Sequence, residues 1–296
     1  MAALAIDWLK HSKWSIFSLD AMPSDFEPPY PSATALYADT FRNSYFQNVF
    51  LLGLVIFYVL DIVGCYLYTH YVPADQQSKM QKEQFAGHFI SMMHALMIAG
   101  CSTLVTCTLT PYQALTTSDR EPIIVLYKYA ATFSAAYFLL DAIFISYYYQ
   151  QAWSKKLAFV FHHFFSGICM CSILLTHPIL TYISALNFLI EWSTVMLNVR
   201  IFARIWSLKM LYFVAGWAVI FTYPFTRIVW NGYMILISFN SEYLPNYSCP
   251  QAPLVLGGAE IFVVLLSAYY YVTVIMVKPQ QMYVLKIATK KVEKDC

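Results

Sequence analysis

Residues 155–175 read KKLAFVFHHFFSGICMCSILL. After the pair Lys155 and Lys156 there is no Asp, Glu, Lys or Arg through Leu175, which is about the length a helix needs to cross a bilayer core of ~30 Å. A lysine pair abutting such a run marks a span with its basic end on the cytosolic side. Two of the chain's seven histidines, His162 and His163, sit side by side within it. An ionisable group is costly in hydrocarbon, so it belongs to the interior of a helix bundle and marks a site or a polar relay.

Six more stretches resemble this one, which predicts spans at 48–70, 87–109, 123–149, 157–176, 179–201, 209–237 and 254–277. The fold class is therefore all-α: a polytopic membrane protein with about seven transmembrane helices. Composition agrees, with 59% hydrophobic and only 11% charged residues. The formal net charge of +2, with its basic residues scattered, excludes a nucleic-acid partner. Pro224 predicts a kink in the sixth span. The short connections between spans predict antiparallel neighbours.

Charge orients the chain. Lys79, Lys82, Lys155, Lys156, Arg200, Arg204, Lys209, Lys278, Lys286, Lys290, Lys291 and Lys294 fall on one side. Lys10, Lys13, Arg42, Arg120 and Lys128 fall on the other, so the C-terminus is expected in the cytosol. Asn246-Tyr247-Ser248, a glycosylation sequon, lies on the luminal side by this count. Residues 1–46 read as a luminal segment: Leu4, Trp8, Leu9, Trp14, Ile16 and Phe17 suit a short interfacial helix, and DFEPPYP (25–31) an extended linker. A transmembrane domain is expected over 47–280 and a basic cytosolic tail over 281–296.

The ionisable residues inside the spans are Asp61, His94, Asp141, His162, His163, Glu191 and Arg227, with Glu260 near a helix end. On the fifth span Asn187, Glu191, Thr194 and Asn198 fall within about 60° of one another on a helical wheel. Ser134, Tyr137, Asp141 and Tyr148 repeat this stripe on the third. His162 and His163 point about 100° apart, with Ser166 one turn on from both. Asp141 or Glu191 would fix the tautomer of whichever imidazole it touches. Polar residues between membrane helices also serve simply as fasteners, worth about 0.6 kcal/mol each. The histidines lack HxxHH and HExxH spacings, so neither a metal nor another cofactor is expected.

The segments HFISMMHAL (88–96), AYFLLDAIFISYYY (136–149), AFVFHHFFSG (158–167), NFLIEWSTVMLNVRIFARIW (187–206) and FTYPFTRIVWNGY (221–233) share an order. Asp141, then about twenty residues, then the histidine pair, then a helix with Asn187 and Glu191 on one face, resembles the TLC-domain family, which includes the ceramide synthases. The resemblance covers about residues 45–280. It implies a six-helix barrel-like bundle with a preceding extra span, open toward the cytosol, in an endomembrane such as the endoplasmic reticulum. It also implies that the histidine pair lines a cavity for an acyl lipid or acyl-CoA.

The closely spaced aspartates of the ceramide synthases are here replaced by Asn187-Phe-Leu-Ile-Glu191. Lipid binding in lipid homeostasis is therefore the leading expectation. An acyl-CoA-dependent acyltransferase using His162, His163, Asp141 and Glu191 is the alternative, with Lys155, Lys156, Arg200, Arg204 and Lys209 as a landing for CoA phosphate. A trafficking or cargo-receptor role is a third, although the tail KKVEKDC only loosely resembles a retrieval signal. His94, Tyr137, Ser166, Asn187, Thr194, Asn198 and Arg227 are the expected binding residues.

Overall fold

The structure, a computed structural model, describes residues 32–77, 80–148, 153–238 and 252–272, and these are helical with no strand among them. The helices are α1 (Ala33–Arg42), α2 (Ser44–Tyr71), α3 (Ala74–Gln77), α4 (Lys82–Thr108), α5 (Pro111–Thr116), α6 (Pro122–Tyr148), α7 (Trp153–Ser172), α8 (Pro178–Phe188), α9 (Glu191–Ile205), α10 (Lys209–Pro224), α11 (Asn231–Ser238) and α12 (Ala252–Tyr270). The expected interfacial helix, the DFEPPYP linker, the sequon at Asn246 and the basic tail lie outside the described residues. Of the segment 1–46, the described part holds the separate helix α1, and Asn43 starts α2 by accepting from the Tyr45 and Phe46 amides at 2.9 and 3.1 Å.

Six helical stretches are long and apolar enough to cross a membrane: Ser44–Tyr71, Lys82–Thr108, Pro122–Tyr148, Lys156–Leu175, Pro178–Ile205 and Lys209–Leu236. Helix α12 stands where the seventh span was expected. Neighbours pack round a closed ring: α4 on α6, α6 on α7, α7 on α12, α12 on α11, and α10 on α9, which returns to α4. Within the apolar window of each span, α6 and α8–α9 are 61% buried, α2 only 17%. The first two are thus the interior of the bundle, and α2 lies outside the ring against α4 and α6.

That outer contact is close because it is built from small residues. A Cβ added at Gly64 would lie 2.9 Å from Ala86 Cα, and one at Gly53 would lie 2.9 Å from Ala136 Cβ. Without a hydrophobic force between helices in lipid, such approaches supply the packing.

Two spans depart from regular α-helix at the interior. Between α8 and α9 the Ile190 amide bonds to Asn187 O and Ser193 to Ile190 O, tight i→i+3 bonds immediately around Glu191. In the sixth span Pro224 ends α10, and Phe225–Trp230 continue as a π-helix carrying Arg227. Proline lacks the amide that would bond to Ile220 O. That carbonyl instead accepts from the Tyr271 hydroxyl at 3.5 Å. The kink expected at Pro224 is therefore realised as a change of helical pitch.

Candidate functional site

Asp141, on the inward face of α6, meets α7 where the histidine pair emerges. His163 Nδ1 lies 2.9 Å from Asp141 Oδ2, close enough for an ion pair, although not aligned as a hydrogen bond. Tyr137, one turn earlier, donates to the same carboxylate oxygen at 3.5 Å. His94, 1% exposed, comes across from α4 and stacks on the Tyr137 ring at 3.9 Å between centroids. The rings of His162 and His163 stand at 84° to each other, 5.2 Å apart, and Phe138 packs against both. His94 also meets Phe138 at 5.0 Å. Three imidazoles from two helices thus surround one aromatic pair of a third. The Nε2 atom of His94 and the Nδ1 atom of His162 are buried with no hydrogen-bond partner among the described residues.

A second group lies alongside. Arg227 donates from Nη2 to Glu191 Oε1 at 2.9 Å and to Thr194 Oγ1, and from Nε to Ser193 Oγ at 3.1 Å. It also lies over the Tyr223 ring. Arg227 and Glu191 are both buried, so each charge is compensated by the other and by hydroxyls. Of the two carboxylates expected to orient a histidine, Asp141 or Glu191, Glu191 is instead paired with Arg227, because the π-helical turn swings that side chain into reach. His162 remains within electrostatic range of Arg227.

Toward the Lys82 end of α4, Asn198 bridges three neighbours. Its amide nitrogen donates to Ser91 Oγ at 3.2 Å and Thr194 O at 3.1 Å, while its oxygen lies 3.1 Å from His88 Nδ1. That oxygen can only accept, so His88 carries its proton on Nδ1 here. His88, Ser91 and Ser193 were not anticipated. His88 and Ser91 lie on one face of α4, three residues apart, and that spacing next to Asn198's stripe was the available signal.

A family model described as the TLC domain matches residues 84–278. The chain belongs to the TLC-domain family. No curated protein and no solved structure matches the chain. The match begins in α4, so this TLC domain contains the closed ring of helices and α2 precedes it.

The TLC domain brings together His94, Tyr137, Asp141, His162 and His163 in one cluster, and Glu191, Thr194, Asn198 and Arg227 in the adjoining one. Other expected residues are placed differently. Tyr148 is 52% exposed at the end of α6, which removes it from the interior stripe. Asn187 is separated from Glu191 by the tight turn, so the four-residue stripe is broken at its first member. Ser166 is half-buried on α7 and Asp61 half-buried on α2, the outer helix. Of the basic residues expected as a CoA landing, Lys156 donates to Ser146 O at 3.3 Å and Arg200 lies over Tyr212. Among the described residues no group of three His, Cys, Asp or Glu side chains is arranged to hold a metal ion.

Proposed function

We propose that this TLC-domain protein binds an acyl lipid within the bundle, with the polar head of the guest held by the imidazoles of His94 and His162, and acts in lipid homeostasis in an endomembrane. One observation carries this reading: two buried imidazole nitrogens on different helices lack partners among the described residues, beside the same aromatic pair. A buried polar atom left unpaired costs about 1–3 kcal/mol. A hydroxyl, ester or amide of a lipid head would recover that cost at both atoms. By helix rise, His94 and His163 lie roughly 15–18 Å from the ends of α4 and α7 that carry Lys82 and Trp153, so a head held there lies inside the bundle and away from the head-group layer. Those ends face the cytosol in the orientation favoured by the positive charges, which also places the C-terminus there.

The test is lipid retention. The purified protein in a mild detergent is analysed by native mass spectrometry, beside the His94→Ala, His162→Ala double variant. Retention of an acyl lipid by the parent and its loss in the folded variant supports the proposal. Equal retention by both would sink it.

A second reading is favoured by the Asp141–His163 pair. A small rotation of the His163 ring would turn its 2.9 Å approach to Asp141 into a hydrogen bond, place the imidazole proton on Nδ1 and leave the Nε2 lone pair as a general base or nucleophile toward an acyl-CoA thioester. Glu191 takes no part, its charge being committed to Arg227. Incubation with acyl-CoA and lipid acceptors would then release free thiol, and Asp141→Asn would slow that release by roughly a hundredfold or more, the scale of general acid–base catalysis. No thiol release with any acceptor leaves the chain a binder.

A further inference from the structure

At the opposite end of the bundle from the His94, His162 and His163 cluster, and close to His177, Lys128 is 6% exposed on the second turn of α6. Its ammonium donates to Asp119 Oδ1 at 2.7 Å and to Thr176 O at 2.7 Å. An ammonium has three N–H donors, so one remains. Lys128 and Asp119 line a cavity of about 300 Å³ with Val125, Tyr129, Leu174 and Leu175. Its wall is thus one cation, one anion, one phenol and three aliphatic side chains. Asp119 is the solvent-facing partner of the pair: its side chain is 62% exposed, against 8% for that of Lys128.

From these contacts we infer that the cavity is a binding site for the phosphate of a membrane glycerophospholipid, with Asp119 standing in for that phosphate when no lipid is bound. A buried ammonium needs a counter-charge, since the desolvation of an unpaired ion is severe. An exposed carboxylate can supply it and can also swing back into water at little cost. The depth fits a lipid rather than a soluble anion. Lys128 lies six residues into α6, roughly 9 Å from its end. Head-group layers of about 5–8 Å flank a core of ~30 Å, so the ammonium sits near the boundary between them. Val125, Leu174 and Leu175 then face the glycerol and the first methylenes of the chains, where a free phosphate would gain nothing. The single positive charge favours heads whose phosphate is their only charge, such as phosphatidylglycerol, over zwitterionic heads.

This site is independent of the histidine cluster, and its test reads it separately. The delipidated full chain in detergent is titrated with phosphatidylglycerol or phosphatidylcholine and followed by native mass spectrometry. One phosphatidylglycerol should bind more tightly than phosphatidylcholine. Lys128→Met, which keeps the packing, should weaken it about tenfold or more through loss of a charge-assisted contact. Asp119→Asn should strengthen it several-fold by removing the competing anion. The His94→Ala, His162→Ala variant should leave it unchanged. Equal affinity for the two lipids, unchanged binding in folded Lys128→Met, or no gain in Asp119→Asn would each overturn the inference. So would displacement of the lipid by millimolar glycerol phosphate, which would make the site one for soluble anions. Should Lys128→Met fail to fold, the Asp119→Asn titration decides.

Discussion

Arg227 and Glu191 illustrate how a membrane interior tolerates full charges: each is buried, and each meets the other together with hydroxyls of Ser193 and Thr194. Removing one partner strands the other. Arg227→Ala is expected to destabilise the fold by about 3–5 kcal/mol, whereas Arg227→Met with Glu191→Met should recover most of that loss. Thermal unfolding in detergent distinguishes the two outcomes. His177 offers a different test, in the turn between α7 and α8. Its Nδ1 accepts from the Ile179 amide at 3.3 Å and so caps α8. Burial pushes its imidazole below the ordinary value of 6.5, opposed by the Asp119 carboxylate and reinforced by the Lys128 ammonium. The unfolded state therefore takes up the proton first as pH falls. The cap's stabilisation is complete above about 6.5 and is lost progressively below it, the more so because a protonated Nδ1 cannot accept. Hydrogen exchange at the start of α8, corrected for intrinsic rate, should speed up between pH 7.5 and 5.5. In His177→Asn, whose amide oxygen caps at any pH, that acceleration should vanish.

At the level of the helix, departures from regular pitch determine which side chains meet. The π-helix at Phe225–Trp230 and the tight turn before Glu191 lie on either side of the same ion pair. A straight sixth span would rotate Arg227 by a different angle and direct the guanidinium elsewhere. Helix α2 shows the opposite economy, with close regular packing through glycine. Gly64→Ala would place a methyl carbon 2.9 Å from the backbone of Ala86, which cannot yield as a flexible side chain could. Overpacking of this kind costs about 1–3 kcal/mol, so this variant should lower the unfolding temperature. At Gly100, where an added Cβ meets nothing within 4 Å, the same substitution should be tolerated or mildly stabilising.

For the molecule as a whole, the ring closes on itself and leaves α2 to lipid, so orientation is the property that positions everything else. With the Lys82 and Arg204 side in the cytosol, a cysteine placed at Ser207 should react with an impermeant maleimide added to the cytosolic face of sealed vesicles. One placed at Ser118 should react only after the vesicles are opened. The reverse pattern would invert the proposed topology. Much of this architecture was legible from the chain alone. Six predicted spans match observed ones to within a few residues, because length and apolarity follow from bilayer thickness and need no tertiary contact. The pairing of Asp141 with His163 was among the expected alternatives, since both lie on inward faces of neighbouring helices. Ser193 carries no periodic signal of its own, and His88 and Ser91 were marked only by their three-residue spacing on α4.

What the sequence determined by itself is the class of molecule and the position of six apolar spans. Those follow from transfer free energies that each segment carries individually. Only the tertiary structure decided who partners whom: Glu191 with Arg227 rather than with a histidine, His94 against Tyr137, and Lys128 beside a cavity instead of in water. The reason is geometric. A change of pitch of a few residues turns a side chain through tens of degrees, and neither proline at position 224 nor the unmarked turn at 189–190 announces in sequence how far the following residues will rotate.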